Sequence, residues 1–580
     1  MSFRSLLLFL ITIGLLSSCN PDNAKQVDSS SKKTIDNIDI RLPNDPKNFH
    51  PIFNPNSVGR EVFQYIFLSL ADLNPENLAL TPVLIKEIPE GYESDKNGEK
   101  WINYQIEILP EATWSDGTAI TAKDYLYTIN MICHPMSNSD RWRKYLIPIK
   151  SVRLNPNNPK RFTISFDKEY HEALDIAVAI NLLPAHIYDK TGKISALNAV
   201  ELLNEDYKES DEEIKESIEL VNKSASATTD VVQNGPYRMT SYASEQYVIL
   251  ERVKDYWGSA YPENPFLQSN PDKITFKVVP DEMTAITMAK ENKLDLMKMS
   301  QSTAFLDMKN DDNHNKNWNF HVPQLNRYYY ISLNNKSEIL SDKTVRRALA
   351  HLADVDDYIE NIDGGLGTRT IGHFHPAKDN YNTSLSPIPY DIDKANALLD
   401  QAGWTMGPDK IRTKVIDGKA TKMEFDIIRT GSRLSELIAL LYQEATAKAG
   451  IKLNIVNKNS ALMRKENLAT YNYDILLASA SLESDDPYNK WHSDNATNGM
   501  ANNSGYSSKE ADFLIEKIRS TTVKEDRDKL CKDLQVTMHK DQPVVFLYSP
   551  LSKIIINSRL AATTTSKRPG YQANTFELAL

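Results

Sequence analysis

Patterns typical of strands and of helices alternate along almost the whole of this chain, and that alternation limits the folds open to it. The segment "INYQIEIL" (Ile102 to Leu109) alternates apolar and polar side chains, as a strand with one wet face does. The next apolar segment, Ala122 to Ile132, carries Tyr125, Leu126 and Ile129 at helical spacing. Because helices and strands keep alternating toward the C-terminus, we predict an α/β fold.

The length of the chain predicts several sub-domains, and its net charge disfavours one class of partner. A chain of 580 residues is long enough for more than one core, so we expect two or three sub-domains. The net charge of −10 disfavours nucleic acid, whose binding rewards basic surfaces. We therefore predict no nucleic-acid partner.

The first residues predict export from the cytoplasm. Residues 1–18 have one early cation, Arg4, then a short apolar run and two small residues, which is the layout of a signal peptide. The run is too short to span a bilayer, which takes about 20 apolar residues. Leu16 to Cys19 resembles the bacterial lipoprotein cleavage motif, which implies acylation, with palmitate among the acyl chains, at Cys19. Residues 19–37 would then be a polar lipidated tether. An ordinary secreted protein with an incidental cysteine is the alternative.

The other two cysteines, Cys133 and Cys531, lie far apart in the sequence. They could pair in an oxidising compartment, but we expect two unpaired buried thiols. The chain has no Cys or His cluster with zinc-site spacing.

Catalytic motifs have little support in this sequence. "GGLGTR" (Gly364 to Arg369) lacks the Lys-Ser/Thr of a phosphate-binding loop, so we interpret it as a loop. His373 and His375 have no third ligand nearby, so we predict a surface loop and no metal site. The G-x-S-x-G and H-E-x-x-H motifs do not occur. We therefore expect that the protein is not an enzyme and binds no cofactor.

Seven sequence blocks occur in order over residues 38 to 550, among them "WSDGTAITAKDY", "QNGPYRM", "LERVKDYWG", "YYYISLNN…LSDKTVRRALAHLAD" and "YDIDKANALLDQAGW". Together these blocks resemble the extracellular solute-binding proteins of the peptide/nickel ABC-transporter group. Asn234 departs from the family's Thr before Gly-Pro-Tyr, and we interpret the change as part of the scaffold. Within this turn we expect Gly235 to take a positive φ. We place Trp404 in the core.

The resemblance implies a two-lobed α/β fold of the type II periplasmic-binding-protein kind, with an extra sub-domain on the N-terminal lobe. Lobe 1 would be discontinuous, and residues 71–229 would form the extra sub-domain. Lobe 2 would span 326–548, with hinges near "RYYYIS" and "FLYSP". The predicted segments of lobe 1 are 38–70, 230–325 and 549–580.

The resemblance also implies the function. We expect a lipid-anchored receptor on the periplasmic or outer face of a bacterial membrane that captures peptides between its lobes by hinge closure. Its partners would be the peptide and the transmembrane subunits of an ABC permease, and we expect a monomer. Two alternatives stay open: a surface lipoprotein for adhesion or partner binding, and transport of a non-peptide solute such as a sugar or a metal chelate.

Site residues follow from matching positions in the family. Its carboxylate for a peptide's ammonium group lies four residues before a proline, which here is Glu483; Asp485 and Asp486 are rivals that we interpret as a solvated acidic loop. Tyr329 should point to the opposite face of its strand from Tyr328 and Tyr330. The sequence leaves open whether Trp491 lines the cleft or lies in the core. The predicted ligand-binding residues are Glu483, Ser481, Phe53, Asn54, Ser57, Trp491 and Tyr329.

Overall fold

The computed structural model of the protein describes residues 35–579 apart from 47, 54–56, 77, 169, 171, 205, 225–230, 377, 483, 484 and 522. Three residues with predicted roles, Cys19, Asn54 and Glu483, lie outside the described residues, as does the predicted signal peptide. Among the helices that are described, none is long and apolar enough to span a bilayer.

The largest sheet has seven strands, and we call this sheet and its covering helices lobe 1. The central strand Ile38–Leu42 pairs in parallel with Lys273–Val278 and with Leu296–Met299. Apolar side chains on its strands, such as Ile40 and Phe276, are completely buried. In order across the sheet the strands are Trp318–His321, Lys553–Asn557, Leu296–Met299, Ile38–Leu42, Lys273–Val278, Tyr247–Arg252 and Tyr237–Ala243.

A five-stranded sheet forms the centre of what we call lobe 2. Arg327–Leu333 runs antiparallel to both its neighbours, and Glu424–Arg429 runs parallel to both of its own. Separate apolar clusters cover the two faces of this sheet, and each includes buried helical residues. In order the strands are Lys452–Asn457, Glu424–Arg429, Ile475–Ser481, Arg327–Leu333 and Val544–Phe546.

A four-stranded antiparallel sheet with its helices forms the sub-domain. Its order is Gly91–Lys96, Glu99–Glu107, Arg161–Asp167 and Ile149–Leu154. The helix Ala122–Cys133 buries Tyr125 and Ile129 in the sub-domain core, whereas Leu126 is only half-buried. Its N-terminus is capped, because the Asp124 carboxylate accepts a hydrogen bond from the backbone N–H of Thr121 at 2.7 Å.

The remaining elements are short strands and the helices that cover the sheets. The short strands are Ala71–Leu73, Leu80–Pro82, Gly367–Arg369, Thr405–Met406, Arg412–Ile416, Lys419–Lys422, Tyr548–Pro550, Leu560–Ala561 and Glu577–Leu578. The other α-helices are Ser57–Phe63, Asp140–Leu146, Ala173–Ala179, Ala185–Tyr188, Ala199–Leu202, Glu212–Ser224, Glu282–Lys290, Ser302–Asn310, Lys343–His351, Val355–Asp357, Ile392–Gln401, Arg433–Lys448, Ser460–Leu462, Tyr488–Trp491, Lys509–Ser520 and Lys524–Asp541. Shorter 3-10 and π turns are Trp257–Ala260, Asn315–Asn317, Tyr358–Ile362, Met463–Asn467, Leu468–Thr470, Ser493–Asn495 and Ala573–Thr575.

The chain crosses between the two lobes twice, and the two crossings pair with each other. Residues 322–326 lead from lobe 1 to lobe 2, and residues 547–552 lead back. The backbone N–H of Leu325 donates to the carbonyl of Pro550 at 3.0 Å, and that of Ser552 donates to Pro323 at 2.8 Å. The lobes are therefore joined by a narrow two-stranded connection.

The Asn-Gly-Pro-Tyr turn is built differently from the prediction. Gly235 does not have a positive φ; a Cβ there would lie 2.4 Å from the carbonyl oxygen of Tyr65, so close backbone approach is what requires glycine. Asn234 is buried, and its side-chain oxygen accepts a hydrogen bond from the backbone N–H of Leu68 at 2.7 Å. This contact agrees with a scaffold role for Asn234.

Two loop predictions need correction, and one core prediction is confirmed. Gly367–Arg369, part of the predicted loop, is a short strand paired with Tyr548–Pro550. His373 and His375 do not lie on a surface loop, since they are 2% and 0% exposed. Trp404 is in the core of lobe 2, as predicted.

Candidate ligand-binding cleft

Two cavities lie along one pair of strands in lobe 2. We call this pair, Arg327–Leu333 and Ile475–Ser481, the cleft strands. The first cavity, of about 1070 Å³, lies between the sub-domain and lobe 2 and is lined by Tyr329 and Ser479 among others. The second cavity, of about 590 Å³, lies where lobe 1, the sub-domain and lobe 2 meet, and Arg327 and Ser481 line it.

The register of the cleft strands explains why these four side chains face the cavities. Arg327 is opposite Ser481, and Tyr329 is opposite Ser479. Side chains alternate between the two faces of a strand, so all four lie on one face of the pair. The other face carries Tyr328, which is 1% exposed in the core of lobe 2.

The three tyrosines separate as the alternation predicts. The rings of Tyr328 and Tyr330 pack together with centroids 5.6 Å apart, whereas Tyr329 packs against Tyr548 at 5.3 Å. Burial raises the pKa of Tyr329, and the nearby Arg327 charge opposes that shift. All these phenols remain neutral donors at physiological pH.

One edge of the strand Ile475–Ser481 is open beside the first cavity. Its pairing with the parallel strand Glu424–Arg429 covers only Ile475 and Leu476. Beyond this short pairing, residues 477–481 have no described strand partner on the edge that faces Glu424–Arg429. Leu477, Ala478 and Ser479 in this segment line the first cavity. The carbonyl of Ser481 already accepts a hydrogen bond from the ammonium of Lys490 at 3.0 Å. The other backbone N–H and C=O groups on an open edge are able to pair with an extended ligand.

The second cavity brings together two of the predicted site residues. Ser57, at the start of its helix, and Ser481, at the end of its strand, both line this cavity although they belong to different lobes. The hydroxyl of Ser481 and the Nε of Arg327 are buried and have no hydrogen-bond partner within the described structure. Polar atoms left in this state are expected to bind water or a ligand.

The structure places two other predicted residues in cores. Phe53 is 3% exposed and stacks on His50 with ring centroids 4.1 Å apart, so it does not line either cavity. Trp491 is 3% exposed and lies in the apolar cluster that contains Tyr328 and Phe546. Of the two positions that the sequence left open for Trp491, cleft or core, the structure has the core. The predictions for Asn54 and Glu483 lie outside the described residues.

The acidic loop before Pro487 is not the solvated loop that the sequence indicated. Asp486 is buried, accepts a hydrogen bond from the backbone N–H of Tyr488 at 2.9 Å and lies 3.4 Å from the Nε of Arg519. Asp485 is half-exposed and bonds the ammonium of Lys378 through both oxygens at 2.9 Å. Both carboxylates therefore already have cationic partners in the scaffold.

No metal site emerges from the described residues. They contain no group of three or more His, Cys, Asp or Glu side chains placed to hold an ion. Burial lowers the pKa values of His373 and His375, and the Lys490 and Lys378 charges act in the same direction on His373. Cys133 and Cys531 are buried and free, as predicted.

Sequence reasoning missed the cations of the cleft. Arg327 immediately precedes the three tyrosines, and the strand alternation that was applied to Tyr329 would also have placed Arg327 on the same face. Lys144 and Tyr145 reach the first cavity from the sub-domain helix Asp140–Leu146. Their position depends on how the sub-domain sits against lobe 2, and no local pattern in the sequence indicates it.

Comparison with known proteins places the chain among bacterial binding proteins. The family model described as "Bacterial extracellular solute-binding proteins, family 5 Middle" matches residues 86–502. Oligopeptide-binding protein AppA of Bacillus subtilis (strain 168) is 24% identical over 550 residues, which cover 92% of this chain and 91% of that protein.

Solved structures share the fold. AppA of Bacillus subtilis in complex with a nonapeptide superposes with a TM-score of 0.69 at 20% identity, and the match covers 95% of this chain and 100% of that one. NikZ of Campylobacter jejuni in complex with Ni(L-His) also has a TM-score of 0.69, at 22% identity, covering 93% and 99%. These structures confirm the predicted two-lobed type II α/β fold.

Proposed function

The chain belongs to family 5 of the bacterial extracellular solute-binding proteins, and from that premise we propose that it captures peptides between its lobes and delivers them to an ABC permease. Membership confirms the predicted family and the prediction of a binding protein rather than an enzyme. The observation that carries the peptide proposal is the open edge of residues 477–481 beside a cavity of about 1070 Å³.

The open edge suits a peptide because of backbone chemistry. An extended peptide that pairs with a strand edge is held through its main chain, while its side chains alternate into pockets. The first cavity is lined by apolar residues, among them Ile438, Met463 and Leu477, and by polar residues such as Ser432 and Asn503. Such a lining accepts varied side chains, which supports broad specificity.

We propose that the lobes close around the peptide at the two crossings, residues 322–326 and 547–552. Their small paired connection supports this role, because a hinge needs few residues to absorb a rotation. The proposed division of the chain remains 38–70, 230–325 and 549–580 for lobe 1, 71–229 for the sub-domain and 326–548 for lobe 2. We also propose that Glu483 binds the peptide's ammonium group and that the protein is monomeric.

The lipid anchor remains part of the proposal. Acylation at Cys19 would hold the receptor near its permease, and the motif at residues 16–19 is its support. Incorporation of labelled palmitate into the parent chain, and its loss in Cys19→Ser, is the expected result. Equal labelling of both chains would contradict the anchor at Cys19.

A non-peptide solute is the second candidate, supported by the fold shared with a nickel–histidine-binding protein. Isothermal titration with di- to octapeptides, and in parallel with Ni(L-His), separates the two. We expect heat from peptides with micromolar or tighter affinity, and none from Ni(L-His). The reverse result would replace the peptide by the metal chelate, and silence toward both would favour the adhesion alternative.

A blocked variant tests whether the peptide occupies the cleft. Ser479 is exposed and lines the first cavity, so Ser479→Trp should place an indole beside the open strand edge, where it obstructs an extended ligand without disturbing a core. Val415 is 69% exposed on a hairpin of the same lobe and lines neither cavity, so Val415→Trp is the matched control. We expect peptide affinity to fall at least about tenfold in the first variant and to stay unchanged in the second.

A further inference from the structure

The described residues that line the two cavities carry more cations than carboxylates, whereas the whole chain is acidic. The chain carries 77 acidic and 67 basic residues, for a net charge of −10. The described residues that line the two cavities include three cations in the first cavity, five in the second, and only two carboxylates. The cations are Lys144, Arg464 and Lys490 in the first cavity and Arg60, Lys298, Arg327, Lys567 and Arg568 in the second.

Both lining carboxylates are already neutralised. Glu61 is buried and forms an ion pair with Lys298. Asp72 lies 2.6 Å from the ammonium of Lys567. Apart from these two ion pairs, the lining includes Arg327, Lys144 and Arg464, for which the described residues provide no carboxylate partner.

Arg327 is the cation at the junction of the two cavities. Its Nη2 lies 3.4 Å from the hydroxyl of Ser479, and its buried Nε has no hydrogen-bond partner within the described structure. No carboxylate of the described residues forms an ion pair with it. A half-buried guanidinium with unused donors favours a planar anion, which it can bind through two hydrogen bonds.

Two further cations line the first cavity from different parts of the chain. Lys144 belongs to the sub-domain helix Asp140–Leu146, and Arg464 belongs to lobe 2. Both side chains are exposed, and the described carboxylates provide neither with an ion pair. Cations from the sub-domain and from lobe 2 both attract an anion into the cavity, because a cleft of one charge sign concentrates ligands of the other.

We propose that the preferred ligands are peptides with acidic side chains, whose carboxylates lie between Arg327, Lys144 and Arg464. The inference rests on the proposed peptide function and adds the ligand's charge to it. Peptide main chain pairs with the open edge of residues 477–481, and the side chains that project from it meet the cationic walls. Neutral peptides bind by the same main-chain contacts but without this attraction.

Three pentapeptides that differ only at positions 2 and 4, AEAEA, AQAQA and AKAKA, test the proposal by isothermal titration. At low ionic strength we expect AEAEA to bind at least about tenfold more tightly than AQAQA, and AKAKA to bind most weakly. The advantage of AEAEA should shrink at 0.5 M salt, because salt screens exposed charges.

Variants that each remove one positive charge test which residue causes the preference for acidic peptides. Arg327→Gln should weaken AEAEA by about tenfold and leave AQAQA unchanged, and the second result also shows that the variant is folded. Lys419→Gln removes an exposed lysine of lobe 2 that lines neither cavity, and it should change neither affinity.

The outcomes separate this inference from the proposed function. Equal affinities for the three peptides, or tighter binding of AKAKA, would overturn the acidic preference and leave peptide capture intact. Inorganic phosphate that binds while none of the pentapeptides does would overturn both, because the cations would then serve a small anion.

Discussion

The ammonium of Lys553 donates to the carboxylate of Asp363 at 3.0 Å, and both side chains are only 8% exposed. Lys553 begins a strand of lobe 1, whereas Asp363 follows the helical segment at Tyr358–Ile362 in lobe 2. The hydroxyl of Tyr548 also donates to Asp363, at 3.2 Å. This buried pair therefore ties the two lobes together beside their crossings.

Removing only one charge of the Asp363–Lys553 ion pair should lower the free energy of unfolding. Asp363→Asn leaves a buried ammonium without its counter-charge, so we expect a loss of about 3–5 kcal/mol in the free energy of unfolding, measured by urea denaturation. The double variant Asp363→Asn with Lys553→Met removes both charges and should lose less than the single variant. A single variant within about 1 kcal/mol of the parent would show that the pair contributes little.

A second prediction concerns the tight turn at Gly235. The Cβ of Gly235→Ala would meet the backbone oxygen of Tyr65 at 2.4 Å. The backbone N–H groups of Gly235 and Tyr237 donate to the carbonyls of Ile66 and Tyr65, so the two segments are held together. We expect a destabilisation of about 1–3 kcal/mol. Gly431→Ala is the matched control because no atom lies within 4 Å of its added Cβ, so its unfolding free energy should stay within about 1 kcal/mol of the parent. Equal effects would contradict the steric explanation.

The two described thiols should be inert in the folded protein. Burial raises the pKa of both Cys133 and Cys531 to about 12. At pH 8 the thiolate fraction is then roughly a thousandfold lower than for a free cysteine, and iodoacetamide reacts with the thiolate. Peptide mapping after labelling should find both thiols unmodified in the native chain and modified in guanidinium. Rapid native labelling of either one would contradict its burial.

The buried imidazole of His50 should lower the free energy of unfolding in mild acid. Burial lowers the pKa of His50 to about 3, and neither ring nitrogen has a hydrogen-bond partner within the described structure. Between pH 6.5 and about 3 the unfolded chain binds a proton that the folded chain does not, so the free energy of unfolding decreases as the pH falls. At pH 5 the effect of this one group is about 2 kcal/mol.

His50→Phe keeps a ring to stack on Phe53 and removes the titration. The drop in unfolding free energy from pH 8 to pH 5 should therefore be about 2 kcal/mol smaller in the variant, with both chains measured by urea denaturation. An identical drop in both chains would show that His50 can be protonated in the folded state.

Local patterns predicted the elements better than they predicted the cleft. The helix predicted over Ala122 to Ile132 is observed at Ala122–Cys133, because its apolar spacing and its cap both act within a few residues. The contact between Arg327 and Ser479 depends instead on the register of two strands that lie 152 residues apart. His373 was placed on a surface loop because no third metal ligand lies near it in the sequence, whereas tertiary packing buries it.

The measurement that tests the central claim most directly is mass spectrometry of the material released when the purified protein is denatured. Peptides should be released in near-stoichiometric amount from the parent chain and from Val415→Trp, and be strongly depleted from Ser479→Trp, because the indole obstructs the open strand edge. Stoichiometric release of a sugar or a metal chelate without peptide, or equal peptide release from all three chains, would contradict peptide capture in this cleft.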